Sequence, residues 1–505
     1  MAPRSLKSQH KASSKRLRKR GEDRISNLPD SVISHIFSFL PTKTAVRTSV
    51  LSKTWEHKWT LTPTLVFESL LYWDRDTRDF TRFISRTLLL HNSSIKIKHF
   101  FIEMDYEKDP YLDSCLNLWL QFVRTRDVEE LSLQFADANF HDCPWRFSDG
   151  GPEGYLLPQC LYTHPSIKHL TTNFCVVVPS RVVSWPSLKS LSLRLAVVSK
   201  GTLQKILLGS SSLEFLKLEH CEFGFDRLEI CSASLKNLVI HSVLGPTTGD
   251  KFDVLQISAP NLLHLKISGH YYERKFELLD VSSLVDAWFD FDLFVDDGNF
   301  HRSVEEYVKK NTQVLRENLK EYSSMLTELF ETLAHVEELT LGPSCIMVLS
   351  VLEVKIMPSL TSKCKYLTLE TLALKSSLPG IANVLESLPE LEKLFIKNAS
   401  SAPSSHGANE LDEILMHMMS SHSLKINFHP DFSAFSYFEK KYGSTSEERS
   451  SQCLLKHLDT VEIMFFHKPD HMKNFVAPLV QFLLKNAAVL KQVLISKREA
   501  PPFLY

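Results

Sequence analysis

The chain has 505 residues and a net charge of −1, with 58 Lys and Arg against 59 Asp and Glu. Its 43% hydrophobic and 23% charged residues are those of an ordinary globular protein, and no run nears the ~18 continuous apolar residues of a membrane span. That excludes a helical transmembrane chain, and the length alone suggests roughly three domains. There are 75 leucines but only 15 glycines, a composition suited to repetitive apolar packing and poor in phosphate-cradling loops.

The neutral total hides an asymmetry. The first twenty residues, MAPRSLKSQHKASSKRLRKR, hold eight Lys and Arg and no acid, which leaves 50 basic against 59 acidic residues, a net −9, on the rest. A block of like charge resists compaction, so residues 1–21 are expected to be a disordered arm. Within it Lys15, Arg16, Arg18, Lys19 and Arg20 form a candidate nuclear-import signal. The arm has no apolar core of a secretion signal. The nine cysteines, scattered and without a CxxC pair, are therefore expected to be reduced thiols in the nucleus and/or cytoplasm. The mildly acidic body lacks the basic face of a nucleic-acid binder.

Residues 22–60 predict three short helices. Val32, Ile33, Ile36, Phe37 and Leu40 follow helical spacing after Pro29, and Pro41 stops the run. Thr42 is the expected N-cap of a second helix carrying Ala45, Val46, Val50 and Leu51, and Ser52 could cap a third turn with Trp55 and Trp59 on one face. So small a unit cannot bury all of these side chains, and some are expected to face a partner. Residues 69–127 form a bridge with helical stripes at Phe80, Phe83, Ile84 and Leu88, and at Leu116, Trp119, Leu120 and Val123.

From residue 128 a repeat begins, following the L-x-x-L-x-L-x-x-N/C template of leucine-rich repeats. Its phrases start at 128, 167, 188, 213, 235, 262, 284, 336, 364 and 391, with spacings of 21 to 27 residues between 167 and 284. Cys175 and Cys221 fall on the ninth template position, which makes them structural. Strand alternation buries Leu213, Leu216 and Leu218 and turns Phe215, Lys217 and Glu219 outward. Applied to neighbouring units, it aims Arg194, His241, His264, Lys266, Trp288 and Asp290 at the same concave side, where a target protein could dock. A charged stretch near 300–335, with apolar residues from Val304 to Leu333, predicts a helical insertion. At the end, a strand at Leu458–Phe466, a helix with Val476, Leu479, Val480, Leu483 and Leu484 on one face, and a strand at Val493–Ile495 are expected, with Pro478 a possible kink.

Three segments carry a family resemblance: Leu28-Pro29-Asp30 with HIFSFLPTK and VLSKTWEHKW, the ten leucine phrases, and CLLKHLDTVEI with FLLKNAAVLKQVLI. Together and in this order they resemble the plant F-box/leucine-rich-repeat/FBD proteins. The resemblance implies an α/β chain: an F-box over residues 22–68, an irregular solenoid with a curved parallel sheet over 128–445, and an α/β FBD cap over 446–497. It also implies that Leu28, Pro29, Ile33, Ile36, Phe37, Leu40, Val50, Leu51, Trp55 and Trp59 contact a Skp-type adaptor, and through it a cullin ubiquitin ligase. No phosphate loop, HExxH helix, GxSxG elbow or complete metal-ligand set occurs. The expected role is a non-catalytic substrate receptor without cofactor or membrane partner. The alternative is a scaffold that works outside any ligase.

Overall fold

In the computed structural model the described residues are 28–53, 55–69, 77–137, 154–223, 227–242, 254–269, 275–291, 322, 324–351, 362–371, 374–398, 455–465, 472–487 and 489–497. The basic arm, with Lys15, Arg16, Arg18, Lys19 and Arg20, lies outside them, as does the insertion before Tyr322.

The N-terminal unit consists of the helix Asp30–Phe37, the helix Thr42–Arg47, and 3₁₀ turns at Thr48–Val50 and Lys58–Leu61. Pro29 and Pro41, both with extended ψ, stand immediately before the two helices and launch them. Thr42 is therefore not the cap of its helix. It sits one position inside, fully buried, and its hydroxyl accepts the Val66 N–H at 2.7 Å. Ile33, Phe37, Ala45, Trp55 and Trp59 form the unit's own core, with Leu28, Leu40 and Val46 packed against it. Phe37 and Trp55 meet edge to face at 5.6 Å.

Among the described residues, the unit is followed by one long parallel sheet. Fourteen strands run from Thr64–Glu68 and His99–Tyr106 through the ten strands of the leucine phrases to Thr460–Phe465 and Gln492–Lys497. Each expected repeat strand is present, the first at Glu130–Asp137 and the tenth at Lys393–Asn398. The sheet begins 64 residues earlier than the first leucine phrase. The end of the expected F-box supplies its first strand and the bridge its second, each followed by a helix: Thr77–Leu90, which buries Phe80, Ile84 and Leu88, and Pro110–Arg124, which buries Leu116, Trp119, Leu120 and Val123. Asp109 caps the second of these by accepting the Tyr111 N–H at 3.1 Å.

The ladder stays in register throughout. One inward row runs Leu65, Phe100, Leu131, Leu170, Leu191, Leu216, Leu238, Leu265 and on to Val493. Stacking these rows makes the continuous core that a single repeat could not enclose. Behind the sheet lie a four-stranded parallel strip, from Tyr155–Leu156 to Glu222–Phe223, and a three-stranded one formed by Arg227–Cys231, Val254–Ser258 and Lys275–Leu278.

The turn out of five successive repeat strands is itself repeated. Phe174, Leu195, His220 and Ser242 all take positive φ, between 45° and 56°, and Gly269 follows at 105°. Each of the four donates its N–H to the carbonyl of the next repeat, at 2.8 to 3.0 Å. A left-handed residue costs about 1–2 kcal/mol, which such a bond helps to offset. Cys175 and Cys221 come directly after two of these turns, fully buried, with the Cys221 thiol donating to the Leu193 carbonyl at 3.3 Å.

The C-terminal unit continues the sheet. Thr460–Phe465 pairs with Lys393–Asn398 and then with Gln492–Lys497, and the helix Met472–Asn486 packs behind. The helix runs through Pro478, and its buried stripe is Phe475, Leu479, Phe482 and Leu483. The expected stripe is thus rotated: Leu479 and Leu483 are shared, Val476 and Val480 are only partly buried, and Leu484 points to solvent.

Candidate functional site

Two surfaces stand out, one on the N-terminal helices and one along the sheet. The helix Asp30–Phe37 carries two apolar stripes, and they have opposite fates. Ile33 and Phe37 turn inward, while Val32 and Ile36 face out, joined one turn later by Phe39 at 75% exposure. Beyond the second helix Val50 is 88% and Leu51 66% exposed, and Pro29 is exposed as well. The ten expected adaptor contacts therefore divide. Pro29, Ile36, Val50 and Leu51 lie on the surface; Ile33, Phe37, Trp55 and Trp59 are interior side chains that hold the helices together; Leu28 and Leu40 are half-buried between them. Val32 and Phe39 belong to the outward group although the family pattern did not single them out as contacts.

This unit is locked to the sheet rather than tethered to it. The Val66 N–H of the first strand donates to the Thr42 hydroxyl, and the Asn92 N–H, just past the helix Thr77–Leu90, donates to the Thr60 carbonyl at 3.2 Å; within the unit, the Ser34 hydroxyl donates to the Leu61 carbonyl at 3.1 Å. An ion pair between Lys58 and Asp30 closes the unit on its outer side.

On the sheet, all nine residues expected at the target face point to the same open side, in three adjacent rows of the ladder. Phe215 and His264 lie in the first, Lys217, Lys266 and Trp288 in the second, and Arg194, Glu219, His241 and Asp290 in the third. Two clusters organise them. In one, Glu219 pairs with Lys217 at 2.6 Å and Arg194 at 3.7 Å. Partial burial pulls the Glu219 carboxyl up, but the Lys217 hydrogen bond and charge, aided by Arg194, hold it below its ordinary value. In the other, the Lys266 ammonium sits 3.8 Å from the Trp288 ring centre, and the Trp288 indole N–H donates to Glu370 at 3.2 Å, with Lys397 on the same carboxylate at 3.0 Å. Trp288 is thus fixed in orientation before any partner arrives. Between the clusters, His241 bonds Ser268 at 2.7 Å and packs on His220, and His264 faces Asp286 at 3.7 Å.

Asp290 has a different occupation from the one expected. Its carboxylate accepts the Ser344 N–H at 2.9 Å, in the first turn of the helix Pro343–Val351. The sequence could not signal this, because donor and acceptor are 54 residues apart. The same ladder also brings His99, Phe101, His169, Tyr366 and Phe395 onto the open side, the first two from a strand outside the leucine pattern. Among the described residues no group of three or more His, Cys, Asp or Glu could hold a metal ion, and no helix is long and apolar enough to cross a membrane.

Comparison with known proteins matches two segments of the chain to named modules. Residues 25–64 match the F-box domain, and residues 116–278 match the leucine-rich repeats described as "FBD-associated F-box protein At5g56370, LRR repeats". The Arabidopsis thaliana putative F-box/LRR-repeat protein At5g02930 is 32% identical over 385 residues, covering 74% of this chain and 72% of its own. The chain belongs to the plant F-box/LRR-repeat family. A second Arabidopsis relative, the F-box/LRR-repeat protein At3g03360, is 28% identical but spans 90% of this chain and 86% of its own length, so the likeness extends well past the matched modules. An F-box implies a Skp-type adaptor as partner.

Proposed function

We propose that this F-box/LRR-repeat protein is the substrate-recognition subunit of an SCF-type ubiquitin ligase. Its F-box would grip a Skp-type adaptor, and through it a cullin, while the open sheet face takes the target. The observation that carries this reading is the division of labour inside the F-box. A unit of some forty residues keeps Ile33, Phe37, Ala45, Trp55 and Trp59 for its own core and still presents Ile36, Phe39, Val50 and Leu51 to solvent. Large apolar side chains gathered at such exposure mark an interaction surface. Pro29, which launches the first helix, lies at its edge.

The chain would contribute binding and geometry rather than bond chemistry. Holding target lysines near the charged conjugating enzyme raises their effective concentration, and ubiquitin transfer follows from proximity. Trp288, braced by Lys266 and Glu370, is the proposed target anchor, since aromatic side chains dominate interface hot spots. Phe215, Lys217, Arg194, Glu219, His241, His264 and Lys266 would surround it on the same face.

The test is titration calorimetry of the full chain with a purified Skp-type adaptor, against Val50→Asp/Leu51→Asp and Leu28→Ala/Pro29→Ala variants. Burying Val50 and Leu51 contributes about 1.5–3 kcal/mol each, so the aspartate pair should weaken binding by more than about a hundredfold. An intact, folded chain that does not bind the adaptor would leave a scaffold that works outside any ligase.

A further inference from the structure

A cleft of about 520 Å³ opens where the F-box meets the first helix of the solenoid. Helix Thr42–Arg47 forms one wall with Lys43, Val46 and Arg47; helix Thr77–Leu90 forms the other with Arg82, Phe83, Arg86 and Leu90. The edge of Trp59 lies between them. Four of the lining residues are cations and one, Asp79, is an acid, which is already committed to Arg82 at 2.8 Å.

This arrangement works against the fold's own electrostatics. Arg82 and Arg86 stand one helical turn apart, where like charges destabilise a helix by a few tenths of a kcal/mol, and Arg47 faces them from the other wall. Among the described residues neither Arg47 nor Arg86 has an ion-pair partner. The body as a whole carries −9, so a cationic cleft is a local exception rather than part of a basic face. Guanidinium groups around an apolar floor suit a carboxylate on a chain that also offers an apolar side chain. The volume is that of a few side chains, too small for a nucleic-acid duplex or a membrane surface.

We propose that this cleft is a docking site for a short acidic peptide segment of a partner protein, with carboxylates on Arg47 and Arg86 and an aromatic or aliphatic side chain against Val46, Phe83 and Leu90. Its lining shares no residue with the outward patch of Ile36, Phe39, Val50 and Leu51 or with the open sheet face. It stands whether or not the ligase reading does.

The experiment uses the full chain and a fluorescein-labelled hexapeptide, EELFEE, read by fluorescence anisotropy. The expected result is saturable binding, at least tenfold weaker for QQLFQQ and at least tenfold weaker for an Arg47→Glu/Arg86→Glu variant. Tenfold corresponds to about 1.4 kcal/mol. Arg47→Lys/Arg86→Lys keeps the charge but not the guanidinium fork and should bind more weakly than the parent yet more tightly than the Arg47→Glu/Arg86→Glu variant, which separates loss of charge from loss of fold. Lys205→Glu, on the helix Thr202–Gly209 in the repeats, serves as the remote control and should bind as the parent does. Equal affinity for the glutamine peptide, or equal binding by the Arg47→Glu/Arg86→Glu variant, overturns the proposal. So does an absence of binding by the intact chain that an Asp74→Asn/Asp76→Asn change restores, because the chain's own 70–76 segment would then be the occupant.

Discussion

Replacing Thr42 by Val should loosen the joint between the F-box and the solenoid without unfolding either. Thr42 is 1% exposed, and its hydroxyl is the acceptor for the Val66 N–H at 2.7 Å. Val66 lies in Thr64–Glu68, the first strand of the sheet, which has a strand partner on one side only. Valine has nearly the shape of threonine but offers no acceptor, so the Val66 N–H is left without its partner at a part-buried joint. An unsatisfied donor costs about 1–3 kcal/mol when fully buried, and a part-buried one falls in the lower part of that range. A change of one or two kcal/mol alters a local opening equilibrium by about 5–30-fold. Hydrogen exchange followed by mass spectrometry should therefore show the 64–68 peptide exchanging faster by that factor, while a peptide around Leu216 stays unchanged. Thr42→Ser keeps the oxygen and should remain within about twofold of the parent. Unchanged exchange at 64–68 in the valine variant would refute the argument that this bond ties the edge strand down. Equal acceleration at both peptides would refute its local character.

Other consequences are open to direct measurement. Burial lowers the pKa of His91, with a further push from Arg126, and its Nε2–H donates to the Thr62 carbonyl at 2.9 Å. The folded state thus binds a proton less readily than the unfolded one. Stability should be level above about pH 6.5 and fall as pH drops below it, and a His91→Gln variant should flatten that slope in urea titrations. A Cβ on Gly269 would fall 2.1 Å from the Ser242 Oγ and 2.6 Å from its nitrogen, so Gly269→Ala should cost more than about 2 kcal/mol and lower the apparent melting temperature. At Gly201, also at positive φ, nothing lies within 4 Å, and Gly201→Ala should cost only about 1 kcal/mol. Native alkylation mapped by mass spectrometry should modify exposed Cys231 and spare Cys221 and Cys364, whose thiols burial pushes up to about 12.

The ten leucine phrases were legible because the inward rows of the ladder from 128 to 398 are filled almost wholly by leucine and isoleucine at fixed spacing. The first two strands were not. TLVFE and HFFIEMDY fill the same rows with Leu65, Phe67, Phe100 and Ile102, so they carry the alternation of a strand but not the leucine template. The F-box could be found from its apolar pattern, yet that pattern could not say which stripe faces in. Val32 and Ile36 are as apolar as Ile33 and Phe37, and only the positions of Trp55 and Trp59 decide between them. The outward direction of the target-face residues followed from period two alone. Their engagements did not: Asp290 with Ser344, and Trp288 with Glu370 across 82 residues, depend on how distant strands stack.

The rigidity of the joint bears on how a protein of this kind works. On the proposed reading, a receptor that transfers nothing itself would influence the reaction only through where it holds its two partners. Effective concentration falls as the connection between binding modules lengthens and loosens. Here the connection is short and multiply bonded, with Thr60 joined to Asn92, Thr62 to His91 and Thr42 to Val66. From Val66 onward the strands keep register without a break to Leu494. A side chain such as Trp288 is therefore referred to Val50 through an unbroken ladder of backbone hydrogen bonds. The two ends of that ladder differ. At the first strand the F-box closes the edge through Thr42. At the last, Ile495 is 55% exposed although its register partner Ile463 is fully buried, so the apolar inner row ends uncovered there. The end that must not move relative to the sheet is the end that carries the F-box.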